Sequence, residues 1–220
     1  MAALGAAGLG ACMALAACGP VQAGAAAIVG SDRITVSSLD TQVSNLQTAA
    51  KPYGSSLSLT SAEMPGAVLS WLIRFAVMDQ VAAANGINVT QAQAAQGLAS
   101  LSSVATNNGF QSTSQLLIAN GVPPQLFTQV GRWEAQQNAF AVKNNGGKAP
   151  TSTAEQNAFS TAIDKAQCTA AKSLNIKVSP QFGRFNYAST SFSVVPAPNT
   201  LSLPAGTPSP ASTEGLTPAC

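Results

Sequence analysis

Histidine is absent from the 220 residues of this chain, which removes the side chain most used for general acid/base work and for transition-metal ligation. Ser-His-Asp and Cys-His nucleophilic chemistry are excluded with it. Charge is nearly as scarce. Asp, Glu, Lys and Arg make up 8% of the residues, against roughly 25% in an average soluble protein, so solubility falls to Ser, Thr, Asn and Gln. The net charge of +2 is spread without a block of one sign, which argues against a nucleic-acid partner. The four cysteines, Cys12, Cys18, Cys168 and Cys220, include no C-x-x-C pair of the kind that holds zinc or forms a redox dithiol. A Gly-rich phosphate loop, a nucleophile elbow and metal-ligand spacings are all missing. The few carboxylates have structural roles at hand: Glu63 and Glu155 suit helix caps, Asp32 a turn, and Asp40 a first helical turn. No catalytic residue, metal or cofactor is expected, and no enzyme.

What is present begins at the N-terminus. Leu15-Ala16-Ala17-Cys18 closes an apolar, uncharged stretch and resembles a bacterial lipobox, in which the cysteine thiol receives a diacylglyceryl group and the preceding residues are cut away. Residues 1–17 then form a lipoprotein signal peptide, residues 18–24 a tether, and Cys18 the lipid anchor. The address this implies is the cell membrane, on its extracytoplasmic face. Stable anchoring takes about two acyl chains, which a diacylglyceryl (palmitate-type) group supplies. The stretch up to Ala17 is short of the ~20 apolar residues of a transmembrane helix. Met1-Ala2-Ala3-Leu4 lacks the basic opening of a secretory signal, which leaves open a start upstream. An alternative cut at Ala23-Gly24-Ala25 would release a soluble protein.

Along the body of the chain, Ala25 to Val29 and Arg33 to Val36 flank Gly30-Ser31-Asp32 and predict a small hairpin. A helix capped by Ser37 or Ser38 follows, with Leu39, Val43 and Leu46 on one face, and Pro52 and Gly54 stop it. Thr60-Ser61-Ala62-Glu63 has capping-box form ahead of a wide apolar stripe from Val68 to Val81, predicting the central helix. Thr90 with Gln93 starts a weaker helix directing Ala94, Leu98, Leu101 and Val104 inward. A short helix around Ser112 to Ala119 and one from about Gln125 to Val142 come next, the latter with Leu126, Val130, Trp133, Gln137 and Phe140 along one side. Ser152 with Glu155 opens the last long helix, carrying Phe159, Ile163, Ala166, Ala170 and Leu174 to its end at Asn175. A short extended stretch, Ile176 to Asn186, follows. From Pro196 onward six prolines in 25 residues predict a disordered tail over 196–220 that cannot order itself by burial.

Two constellations carry alternatives. Trp71 and Trp133 lie on different helices, either lining a peptide-binding groove, since indole joins a large apolar face to a polar edge, or filling the core. With Cys12 and Cys18 set aside, Cys168 and Cys220 form an even pair, and a bridge between them would close a loop worth on the order of 4 kcal/mol by chain entropy. Otherwise Cys168 is a small buried residue and Cys220 a free thiol. Asn88-Val89-Thr90 reads as a turn and cap.

The order of these pieces resembles a known family. Ile28-Val29-Gly30-Ser31-Asp32-Arg33-Ile34-Thr35, a capped helix, and Leu69-Ser70-Trp71-Leu72-Ile73 on a long helix running into Gly86-Ile87-Asn88-Val89-Thr90 are similar to the N-terminal chaperone module of SurA- and PrsA-type extracytoplasmic foldases. Val178-Ser179-Pro180-Gln181-Phe182-Gly183 looks like the segment that closes that module and returns beside the hairpin strand. Ser31 and Gln181 depart from the family pattern. The resemblance spans Ala25 to Asn186 and includes no parvulin domain, so isomerase activity does not carry over. It implies a mainly α fold, a SurA N-terminal-like multi-helix domain with a small β hairpin over residues 25–195. It also implies a chaperone-like, peptide-binding role toward unfolded or partly folded secreted and envelope proteins. The alternative is an accessory envelope lipoprotein that holds one specific folded partner.

Overall fold

Ala25–Val29 form strand β1 and Asp32–Thr35 form β2, in a computed structural model that describes residues 23–57, 59–187 and 192–196. The strands pair antiparallel with Val29 opposite Asp32, so Gly30 and Ser31 make the turn. Gly30 takes φ +63°, and a Cβ there would lie 2.9 Å from Leu174 Cδ2. Its amide donates to the Leu174 carbonyl at 2.6 Å, which ties the turn to the far end of the domain. A third strand, β3 (Lys177–Val178), pairs with the other edge of β1 through Ala27↔Val178 and Ile28↔Lys177, giving the order β2-β1-β3. The return of the Val178 segment to the hairpin, implied by the family resemblance, is therefore present.

Helix α1 (Val36–Ala50) is capped by Thr35, whose hydroxyl accepts from the Ser38 amide at 3.0 Å. This corrects the expected cap at Ser37 or Ser38. Thr35 is still in extended conformation at the end of β2, which sets its oxygen over the first turn. Leu39 and Leu46 are fully buried, as the periodicity requires, and a 3-10 turn over Lys51–Ser56 with Pro52 and Gly54 ends the helix.

Helix α2 (Met64–Ala84) is the expected central element. Val68, Leu69, Ile73 and Met78 have no exposed surface. It is long and apolar enough to cross a membrane by length and composition, with a window of mean hydropathy 1.4, and here it is the core helix of the domain. Its cap departs from the reciprocal box. Both the amide and the hydroxyl of Thr60 donate to Glu63 Oε2, at 2.9 and 2.7 Å. The Glu63 amide donates to the Thr60 carbonyl at 3.0 Å rather than to its hydroxyl, and the helix starts at Met64 with Pro65 in its first turn.

The remaining helices are α3 (Gln91–Asn107), α4 (Thr113–Ala119), α5 (Phe127–Asn144) and α6 (Thr153–Ser173). Full capping boxes form at Thr90/Gln93 and Ser152/Glu155, and Ser112 caps α4. Helix α5 begins after a 3-10 turn at Pro124–Leu126, slightly later than expected. On α3 the buried face is Ala94, Gly97, Leu101 and Ala105, and Val104 is 43% exposed, against the inward position expected for it. The face is rotated because Gly97 and Gly131 let α3 and α5 cross at backbone contact: a Cβ on Gly97 would lie 2.3 Å from the Gly131 carbonyl oxygen. Two apolar clusters result. One joins α2 to the hairpin, α1 and α6. The other joins Phe75 of α2 to Leu101, Leu117, Val122, Leu126 and Val130.

After α6, Asn175 turns the chain with φ 46°. Strands β4 (Arg184–Phe185) and β5 (Val194–Val195) then pair antiparallel, an element the sequence pattern did not suggest. The β5 backbone is held to α2 where the Val194 amide donates to Ser70 Oγ at 2.8 Å.

Candidate functional site

Trp71 and Trp133 are brought together, in contact with each other rather than across a groove. Their rings meet edge to face, centroids 5.7 Å apart at 81°. Phe75 lies 5.7 Å from Trp71 on its other side. The Trp71 indole N–H donates to the Asn120 carbonyl at 2.8 Å, and the Arg74 guanidinium sits 4.8 Å over the Trp71 ring, within cation–π reach. Desolvation lowers the Arg74 pKa and raises that of Glu134, the neighbour of Trp133. Both tryptophans are half-buried. They also pack against the second apolar cluster.

Trp133 has a further role because it lines a cavity that Trp71 does not reach. Arg74 and Val77 of α2, Trp133 and Gln137 of α5, Ile163, Asp164 and Gln167 of α6, and Phe192 enclose about 270 Å³. Gln167 is buried and directs its Nε2 to Met78 Sδ at 3.7 Å. One to two turns further along the same helices lies a shallower groove of about 430 Å³. Its walls are Val81, Ala84, Phe140, Ala162, Ala166 and Ala170, and Gln80, Asn85, Asn144 and Lys165 are among its polar residues. Apolar walls with a few amides and single charges suit extended peptide, which presents apolar side chains and unpaired backbone groups together.

Among the described residues no group of three or more His, Cys, Asp or Glu is placed to hold a metal ion. Asp79 accepts from Gln136 Nε2 at 2.6 Å and pairs with Arg132 at 2.9 Å. That ion pair is about half exposed and so heavily screened. Cys168 lies half-buried on α6 and is disulfide-bonded. Cys18, Cys220, the signal segment 1–17, residues 18–22 of the tether and residues 197–220 of the tail lie outside the described residues.

Residues 9–139 match the family model described as SurA-like N-terminal domain. The chain belongs to that family. No curated protein and no solved structure gives a significant match. A SurA-like N-terminal domain points to a chaperone-like role, and the mainly helical fold with its small sheet fits it. The match ends within α5, so this SurA-like domain takes Arg74, Val77, Trp133 and Gln137 of its cavity from the matched region, and the α6 wall and Phe192 from beyond it.

The sequence pattern passed over Arg74, Asp164, Gln167 and Phe192. Arg74 had one readable signal: it is the sole charge between Met64 and Met78, three residues after Trp71 and hence on the same helix face. Phe192 had none, since its place depends on a β4–β5 pairing of two residues each.

Proposed function

We propose that this SurA-like domain is a lipid-anchored, extracytoplasmic, chaperone-like module that binds apolar segments of unfolded or partly folded secreted and envelope proteins. The cavity beside Trp133 and the adjoining α2–α5–α6 groove are the binding surface. The observation that carries this reading is the cavity itself, with Trp133, Val77 and Ile163 as apolar walls and Gln137 and Gln167 as hydrogen-bonding partners. Cys18 provides the anchor, and no residue is assigned a catalytic role. The test is binding to a reduced, carboxymethylated and therefore permanently unfolded protein. Micromolar affinity and slowed client aggregation are expected. Trp133→Ala should weaken binding about 30-fold, as for a buried aromatic anchor worth ~2 kcal/mol. Failure to bind or to slow aggregation rejects the reading. Cys18→Ala should release the protein from membranes, and continued membrane fractionation would reject the anchor.

A second reading, an accessory lipoprotein holding one folded partner, is favoured by the closed Trp71–Trp133 contact, which leaves no open groove between those two rings. Pull-down from membranes separates the readings: one stoichiometric partner supports the accessory role, a varied set of unfolded clients the chaperone role.

A further inference from the structure

We infer that the groove between α2, α5 and α6 selects its client segments by charge, with Lys165 as the discriminating residue: it takes apolar stretches flanked by Asp or Glu and disfavours those flanked by Lys or Arg. This rests on the peptide-binding reading of the groove and adds to it the class of segment bound.

Lys165 is the one charged side chain among the residues lining the groove, and none of the described carboxylates lines it. It stands exposed on α6 and makes no ion pair among the described residues. Lys143, in the last turn of α5, brings a second charge to the same place, because its Nζ donates to the carbonyl of Asn85, itself a groove residue. Lys172 brings a third. It lies three residues after the lining Thr169 and seven after Lys165, and so on the same side of α6. Three of the ten basic residues in a chain poor in charge therefore border one groove.

The adjacent carboxylate faces elsewhere. Asp164 precedes Lys165 in the sequence, but one residue turns about 100° around a helix, and Asp164 lines the Trp133 cavity together with Arg74. That cavity carries a charge of each sign, and the groove carries one sign. The carbonyl end of α2 adds a partial negative charge of about half a unit, which the full charge of Lys143 on Asn85 exceeds. The groove is left net positive.

The walls meet the rest of the segment. Val81, Phe140 and the row Ala162, Ala166 and Ala170 are apolar. Asn85 and Asn144 each donate Nδ2 to the carbonyl four residues back in their own helix, those of Val81 and Phe140, at 2.8 Å. The amide oxygen is then what each offers to a peptide N–H. A second copy of this chain does not fit that description: the exposed large hydrophobic residue among the described ones is Val104, and its helix α3 carries no Asp or Glu. Charges at the rim of a binding surface act on specificity and association rate more than on total affinity, so the selection shows as a ratio between clients.

The test uses the full chain and two synthetic peptides that share one apolar core, one flanked on both sides by glutamates and the other by lysines. At low salt the glutamate-flanked peptide should bind about tenfold more tightly, through exposed ion pairs in one case and like-charge contacts in the other. The ratio should fall toward one at ~1 M salt, where the Debye length is about 3 Å. Lys165→Glu should abolish or invert the low-salt preference. Lys51→Glu, which makes the same change in net charge at an exposed lysine that does not line the groove, should keep it. Equal binding of the two peptides by the wild type overturns charge selection and leaves the peptide-binding reading intact. Equal loss of preference in both variants assigns it to net charge and overturns the role of Lys165. Self-association that Lys165→Glu abolishes would make a second copy the occupant and also overturns the inference. Binding of neither peptide rejects the inference and the reading beneath it together.

Discussion

Substitution of Gly97 by alanine sets two opposed effects of known sign against each other. Alanine is a better helix former than glycine by about 1 kcal/mol in a helix interior, so in open space Gly97→Ala would stabilise α3. At the α3–α5 crossing the added methyl would stand 2.3 Å from the Gly131 carbonyl oxygen, 3.1 Å from the Ala135 amide nitrogen and 3.2 Å from Glu134 Cβ. Two of these neighbours are helical backbone, which cannot swing aside as a side-chain tip can, so the helices must separate. Overpacking costs about 1–3 kcal/mol, and backbone contact puts this case at the upper end. The net loss is then about 2 kcal/mol, a Tm decrease of roughly 4–8 °C for a domain of this size. Gly66→Ala is the control. Gly66 also lies in a helix, on α2, but its Cβ would meet the Val194 carbonyl oxygen at an ordinary 3.8 Å, so the change should be neutral or raise Tm slightly. Thermal unfolding followed by circular dichroism measures both. An unchanged or raised Tm in Gly97→Ala would refute the account of the crossing.

Three further outcomes are expected. Ser70→Ala leaves the Val194 amide without its 2.8 Å partner at a buried position, costing about 1–3 kcal/mol; amide exchange at Val194 should accelerate while that at Met78 follows only global stability. Trp71→Phe removes the 2.8 Å indole bond to the Asn120 carbonyl and should lower the urea midpoint by the equivalent of about 1–2 kcal/mol; an unchanged midpoint would dismiss that bond as a support of the α2–α4 contact. Glu155 has its pKa lowered from 4.5 to about 2, chiefly by the backbone amides of Ser152 and Thr151. Its folded pKa lies below the unfolded one, so its stabilisation is complete above pH 4.5 and is lost as pH falls toward 2. The helical signal should decline in that window, and Glu155→Gln should flatten the decline.

Most of the helical frame was legible because each helix carries a local stop or cap that acts within a few residues. Thr90/Gln93, Ser152/Glu155 and Asn85-Gly86 work by hydrogen bonds that need no distant partner. The misplaced details depend on distant chain. Val104 faces solvent because a glycine pair on two helices rotates α3. Thr35 takes the first cap because it ends a strand. The site divides in the same way. Two tryptophans at helical positions were visible, but their mutual contact follows from the packing of α2 on α5, and the place of Trp133 as a cavity wall from that of α6 and Phe192.

The pairing of β1 with β3 has a consequence for how the domain comes into being. Ala27 and Val178 are partners separated by 151 positions (178 − 27), and closing a loop of that length costs about 4 kcal/mol beyond its constant part. At about 5–20 residues per second, β3 follows β1 out of the ribosome after about 8–30 s. Throughout that interval β1, with the sequence Ala-Ala-Ala-Ile-Val, shows a bare strand edge with no charge or proline to discourage pairing by another chain. A nascent copy of this domain is thus exposed to strand capture until β3 has been made, and for those seconds it is as much in need of a chaperone as the clients proposed for it.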